Sequence, residues 1–111
     1  MSYQHQSLAS GRWRSLSLIE QLANIGSEVE RALNWRVKGH PTYSQRALER
    51  ALELIGLTVE DPRHRNRLKE ITRLREAILD YFLGENLYQS SDALWRKYSY
   101  AFGYAARSRT K

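Results

Sequence analysis

The dipeptide Asp61-Pro62 interrupts a stretch, residues 47–83, that otherwise keeps apolar residues at helical spacing, and this break constrains the fold more than any other feature. Proline has no backbone N–H and its ring clashes with the preceding turn, so Pro62 cannot prolong a helix begun upstream, yet it suits the first position of a new one. Asp61 is placed to cap the unpaired N–H groups of the turn that follows. Upstream, Leu48, Leu52, Ile55 and Val59 form one apolar stripe; downstream, Leu68, Ile71, Leu74 or Arg75, Ile78 and Phe82 form another. Neither stripe is stable in water, so the flanking segments must supply packing partners.

Residues 1–16 show no sustained period and read as a flexible N-terminal arm ending in Trp13 and Leu16. A first helix is expected from Ser17 to about Val37. Ser17 and Glu20 have capping-box spacing, Leu16 sits across the cap, and Leu18, Leu22, Ile25, Val29 and Leu33 form the stripe. Gly26 lies inside this helix, where glycine costs about 1 kcal/mol relative to alanine, and close approach of another helix is the expected reason. Gly39 and Pro41 mark the next break, and Thr42 with Gln45 offers a second capping box for a helix over about 43–60. The third helix is expected over 62–83, closed by Gly84-Glu85-Asn86. A fourth runs from about Ser91 to Arg107, with Trp95, Tyr98 and Phe102 recurring on one face, before a basic tail at 108–111. Four amphipathic helices with short connections predict an all-α, up-down-up-down four-helix bundle over residues 17–107.

Composition narrows the function classes. The absence of cysteine excludes a disulfide framework, a thiol nucleophile and cysteine-based zinc sites. No apolar run approaches the roughly 20 residues of a membrane-spanning helix, and the opening residues lack the basic and apolar regions of a secretion signal, so the cytoplasm is the expected location. The formal charge is +6. Residues 1–55 hold seven basic and five acidic side chains, and residues 56–111 hold eleven and seven, so the second half is the more positive. Basicity of this kind favours a polyanionic partner.

Little in the chain points to catalysis. His5, His40 and His64 have no partner at metal-ligand spacing, the six glycines are scattered singly, and no cofactor or metal is expected. Arg36 and His40 superficially resemble the Arg and His pair of HEPN-family helical ribonucleases. Only three residues intervene, fewer than in that family's motif, and Gly39 is placed to end the helix before the histidine. A structural turn is therefore the preferred reading, and a small helical nuclease the least favoured class.

The binding pattern is more coherent. Arg65, Lys69 and Arg73 recur every four residues and would line one side of a continuous third helix, while Arg96, Lys97, Arg107 and Arg109 add charge around the aromatic fourth helix. Trp95, Tyr98 and Phe102 exceed what one slender bundle readily buries, which makes them the expected interface residues of a homo-oligomer.

Between about Leu16 and Ala106, in length, helix organisation and basicity, and most visibly over Leu18 to Trp35 and Leu68 to Tyr81, the chain resembles the rRNA-intervening-sequence and Avd-like group of small bacterial four-helix-bundle proteins. That resemblance implies a compact bundle that forms closed oligomers, and it includes basic accessory proteins of diversity-generating retroelements that bind RNA and a reverse transcriptase. It transfers no catalytic residue. The leading expectation is a non-enzymatic adaptor that binds RNA or a single-stranded nucleic acid, as an accessory to a larger enzyme. The alternative is a protein-interaction or scaffolding bundle with no nucleic-acid role. A membrane is not among the expected partners.

Overall fold

The structure, a computed structural model, describes residues 11–109. Its four α-helices are α1 (Leu18–Val37), α2 (Pro41–Val59), α3 (Leu68–Leu83) and α4 (Asp92–Arg109), with 3₁₀ segments at Trp13–Ser15 and Pro62–Arg67. The described residues contain no strand, and the all-α four-helix bundle expected from the sequence is the observed architecture. Helix α1 is central, with α2 along one side and α4 along the other, and α3 closes the bundle against α2.

Local chemistry explains the start of α1. Ser17 Oγ accepts from the Glu20 N–H at 3.2 Å, and Glu20 Oε1 accepts from the Ser17 N–H at 2.9 Å, which completes the expected capping box. The second expected box does not form. Helix α2 begins earlier, with Pro41 at the first position and His40 as a cap residue that makes no side-chain hydrogen bond. Proline has no N–H to satisfy there and is already set at a helical φ, so less capping is required. The Ser44 hydroxyl instead donates to the Ala32 carbonyl of α1 at 2.8 Å.

The buried face of α2 also departs from expectation. Ala47, Leu48, Ala51, Leu54, Ile55 and Thr58 face inward, while Leu52 is only half-buried and Val59 is exposed. Ala47 and Ala51 are fully buried on this inner face, so it departs from the stripe that large apolar residues alone define. The stripes of α1 and α3 are as expected at their centres, with Ile25, Val29, Leu33, Ile71 and Ile78 all buried.

The third segment is not one helix from residue 62. Pro62–Arg67 is wound as 3₁₀, His64 leaves helical geometry at φ −104° and ψ 19°, and α3 proper begins at Leu68. Asp61 nevertheless caps as expected, accepting from the Arg63 N–H at 3.0 Å. The tight winding accompanies the inward turn of His64, whose Nε2 lies 3.0 Å from Gln21 Oε1 on α1.

Residues 1–10 of the expected arm, and residues 110–111 of the expected tail, lie outside the described residues. The end of the arm is integral to the core. Trp13 is only 1% exposed, and its indole N–H donates to Thr58 Oγ1 at 3.2 Å. Helix α4 continues through Ser108 and Arg109, past its expected end at 107.

Candidate nucleic-acid interface

A buried polar knot holds the base of the cationic segment. The Asp61 side chain is almost fully enclosed and accepts from the Arg63 guanidinium at 2.6 Å and from Gln21 Nε2 at 3.3 Å, with His64 Nε2 at 3.4 Å. The Arg63 hydrogen bonds hold the Asp61 carboxyl well below the usual carboxylate range, against the opposing effect of burial, and Asp61 in turn raises the Arg63 pKa. Gln21 Nε2 also donates to the Trp13 carbonyl at 3.0 Å, and Arg63 donates to the Leu16 carbonyl at 2.7 Å. The knot therefore ties together the chain before α1, α1 itself and the 3₁₀ segment. Its donors are satisfied by structural acceptors, which makes it a fold anchor rather than a reactive centre.

From this anchor the chain presents its basic side chains outward. Arg65, Lys69 and Arg73 are all exposed, and none makes an ion pair among the described residues. Lys69 and Arg73 lie one turn apart on the face of α3 opposite Ile71 and Ile78. Arg65 precedes the helix proper, so the 3₁₀ winding takes it out of the four-residue register that the sequence suggested. The acidic residues of α3 are engaged elsewhere. Glu70 pairs with Arg67 at 3.2 Å, Glu76 accepts from the Tyr88 hydroxyl at 3.1 Å, and Asp80 accepts from the Leu87 and Tyr88 N–H groups at 2.7 and 3.0 Å.

The cations of α4 divide differently. Arg96 donates to Asn34 Oδ1 at 2.7 Å and lies 3.9 Å from Glu30, so it serves the α1–α4 contact. Lys97 and Arg107 are exposed, and Arg109 stands at the last helical position. The structure thus brings Lys69 and Arg73 together on one face and leaves Lys97 and Arg107 on another helix.

The aromatic residues expected at an interface are mostly committed within the chain. Trp95 is 6% exposed, and its ring meets Tyr81 at 6.4 Å and Tyr98 at 5.7 Å; Tyr98 meets Phe102 at 4.7 Å. Burial pushes the Tyr98 phenol far up. The outward aromatics of α4 are Tyr100 and Tyr104.

Comparison with protein-family models, curated proteins and solved structures returns no match to this chain. Its own geometry must carry the functional argument.

Arg36 and His40 are each engaged with other side chains. Arg36 stacks over Tyr81 and Phe82, at 5.0 and 4.9 Å, and donates to Asp92 at 3.0 Å, while His40 packs edge-on against Trp35 at 5.3 Å. Tyr81 also donates to Asp92, and its own pKa is raised by burial and by that carboxylate. Among the described residues no group of three or more His, Asp or Glu side chains is placed to hold a metal ion. No helix among them is long and apolar enough to cross a membrane.

Sequence reasoning missed Leu83, Leu87 and Tyr88 as surface apolar residues. Leu87 and Tyr88 occupy a loop between two helices, where periodicity carries no signal, and both are exposed. A cue in the sequence is Asn86, a residue type that tolerates positive φ and that does adopt φ 56° in this loop.

Proposed function

We propose that this chain is a non-enzymatic helical adaptor that binds RNA or another nucleic acid, with the outer face of the 3₁₀ segment and α3 meeting the phosphates. The observation that supports this most is the pairing pattern. Arg65, Lys69 and Arg73 are exposed and make no ion pair among the described residues, while Glu70 on α3 pairs with Arg67. Cations left unneutralised on a rigid face can displace condensed counterions from a phosphate backbone. The net charge of +6 acts in the same direction over longer range. An accessory role beside a larger enzyme of nucleic-acid metabolism, and affinity with the Avd-like group, are in keeping with this reading.

The test is a titration of labelled single- and double-stranded RNA at several salt concentrations, with the parent and an Arg65→Gln/Lys69→Gln/Arg73→Gln variant in parallel. Gln has nearly the helix propensity of Lys and Arg, so the fold should persist, which matching melting curves would check. The variant should bind more weakly, with a logarithmic salt slope smaller by about 2 to 3. If the parent does not associate with RNA at about 50 mM salt, where counterion release favours binding, the protein-interaction reading replaces this one. Exposed Leu83 and Leu87 are the feature that favours that second reading.

A further inference from the structure

Leu83, Leu87, Tyr88, Tyr100 and Tyr104, among the large apolar side chains exposed in the described residues, gather on two surfaces, one bordered by carboxylates and the other by cations. The first is an open groove of about 520 Å³ at the C-terminal end of α3. Leu79, Leu83 and Leu87 line it together with Tyr88; Leu83 is 61% exposed and Leu87 76%. Glu76 and Asp80 stand on its rim. The groove is held in shape, because Asp80 accepts the N–H groups of Leu87 and Tyr88 and Glu76 accepts the Tyr88 hydroxyl. A carboxylate offers about four acceptor positions, so both retain capacity for a cation.

The second surface is the outer face of α4. Lys97, Tyr100, Tyr104 and Arg107 follow one another by three, four and three residues, which places them on one side of the helix. Tyr100 is 72% exposed and Tyr104 62%. On the opposite side Trp95 is buried in the core and Ser99 is bound to α1. That attachment fixes α4, so its outer face cannot fold back onto a groove next to its own N-terminal end.

We infer that the groove of one molecule receives the Tyr100 and Tyr104 face of α4 from a second copy of this chain, with Lys97 meeting the Glu76 and Asp80 rim. Aromatic side chains with a polar edge suit an apolar floor with acceptors at its border. Opposite charge at the rim sets orientation and opposes wrong partners. A phosphate-bearing ligand is a poor occupant, since the two carboxylates repel it. A two-fold arrangement satisfies both grooves at once, each copy giving its helix face and receiving the other's. The nucleic-acid reading rests on Arg65, Lys69 and Arg73, and the last two share the outer side of α3 with Glu76 and Asp80 but lie nearer its N-terminal end.

Light scattering and sedimentation equilibrium from about 1 μM to about 1 mM protein would test it, a range that spans weak to moderate self-association. The parent mass should rise with concentration from the 13.0 kDa of a single chain towards a closed assembly. Lys97→Glu should weaken association about tenfold, whereas Lys97→Arg, which keeps the charge, should leave it within about twofold of the parent. Leu87→Glu and Tyr104→Glu alter the two surfaces separately at exposed positions, and each should weaken association by about tenfold or more. Circular dichroism melts matching the parent show that these variants remain folded, and two variants on different surfaces guard against the failure of one. A parent that stays at the single-chain mass throughout overturns the inference and assigns the groove to a different protein. Association unchanged by both Leu87→Glu and Tyr104→Glu, or unchanged by Lys97→Glu, overturns it as well.

Discussion

Ser99 Oγ donates to the Gly26 carbonyl at 2.9 Å, and the Ser99 Cα lies 3.2 Å from where a Cβ on residue 26 would sit. The α1–α4 contact is therefore close at a level where one helix has no side chain and the other has a small hydroxyl. The hydroxyl satisfies a carbonyl that already belongs to α1, so the approach carries a polar cross-link as well as packing.

Gly26→Ala should destabilise the protein. Alanine contributes about 1 kcal/mol through helix propensity, but its methyl group meets the backbone and side chain of Ser99, and overpacking of that kind costs about 1 to 3 kcal/mol. Urea melts should show a net loss of up to about 2 kcal/mol. A stabilised variant would mean that α4 yields freely at this level.

Trp13→Ala should be among the most damaging single changes, at about 3 to 5 kcal/mol, because it empties a core position and removes the indole bond to Thr58. Trp13→Phe should cost less, since the Thr58 hydroxyl keeps its own bond to the Leu54 carbonyl at 2.9 Å. Thermal melts of both variants check whether the residues before α1 belong to the cooperative unit.

Ile55→Ala and Leu52→Ala separate the two possible inner faces of α2. Ile55 is fully buried and its truncation should cost about 2 to 5 kcal/mol, while the half-buried Leu52 should cost less than half as much. Equal losses in urea would mean that α2 is rotated from the orientation described.

Acid should expose the contribution of Asp61. Its folded-state pKa is depressed below the ordinary 3.8, chiefly by the Arg63 hydrogen bond, so its stabilisation is present above that value and is lost as pH falls through the depressed range. The urea midpoint should decline below about pH 4. Asp61→Asn should lower stability at neutral pH by about 1 to 3 kcal/mol, through weakened bonds to Arg63 and Gln21, and should flatten that acid limb. An acid limb unchanged in the variant would assign it to other carboxylates.

Much of the architecture is legible along the chain because it depends on local chemistry. The Ser17 and Glu20 box, the Asp61 cap, the glycine at a close helix contact and the central stripes of α1 and α3 each follow from residue types at short spacing. The exposure of Arg65, Lys69 and Arg73 is also legible in residue type, since long cationic side chains are seldom fully buried without a partner.

Tertiary structure decided what depends on a neighbour distant in sequence. Trp13 reads as part of an unpatterned arm, yet Thr58, 45 residues away, gives its indole a partner in the core. The inner face of α2 includes Ala47 and Ala51, and small residues carry little weight in an apolar pattern. The 3₁₀ winding that takes Arg65 out of register accompanies the bond between His64 and Gln21, 43 residues apart. Trp95 is expected at an interface from aromatic content, which says nothing about which wall a ring meets, and within the chain it packs against Tyr81 and Tyr98. Spacing along a helix determines which side chains share a face, whereas only the packed partners determine which face turns inward.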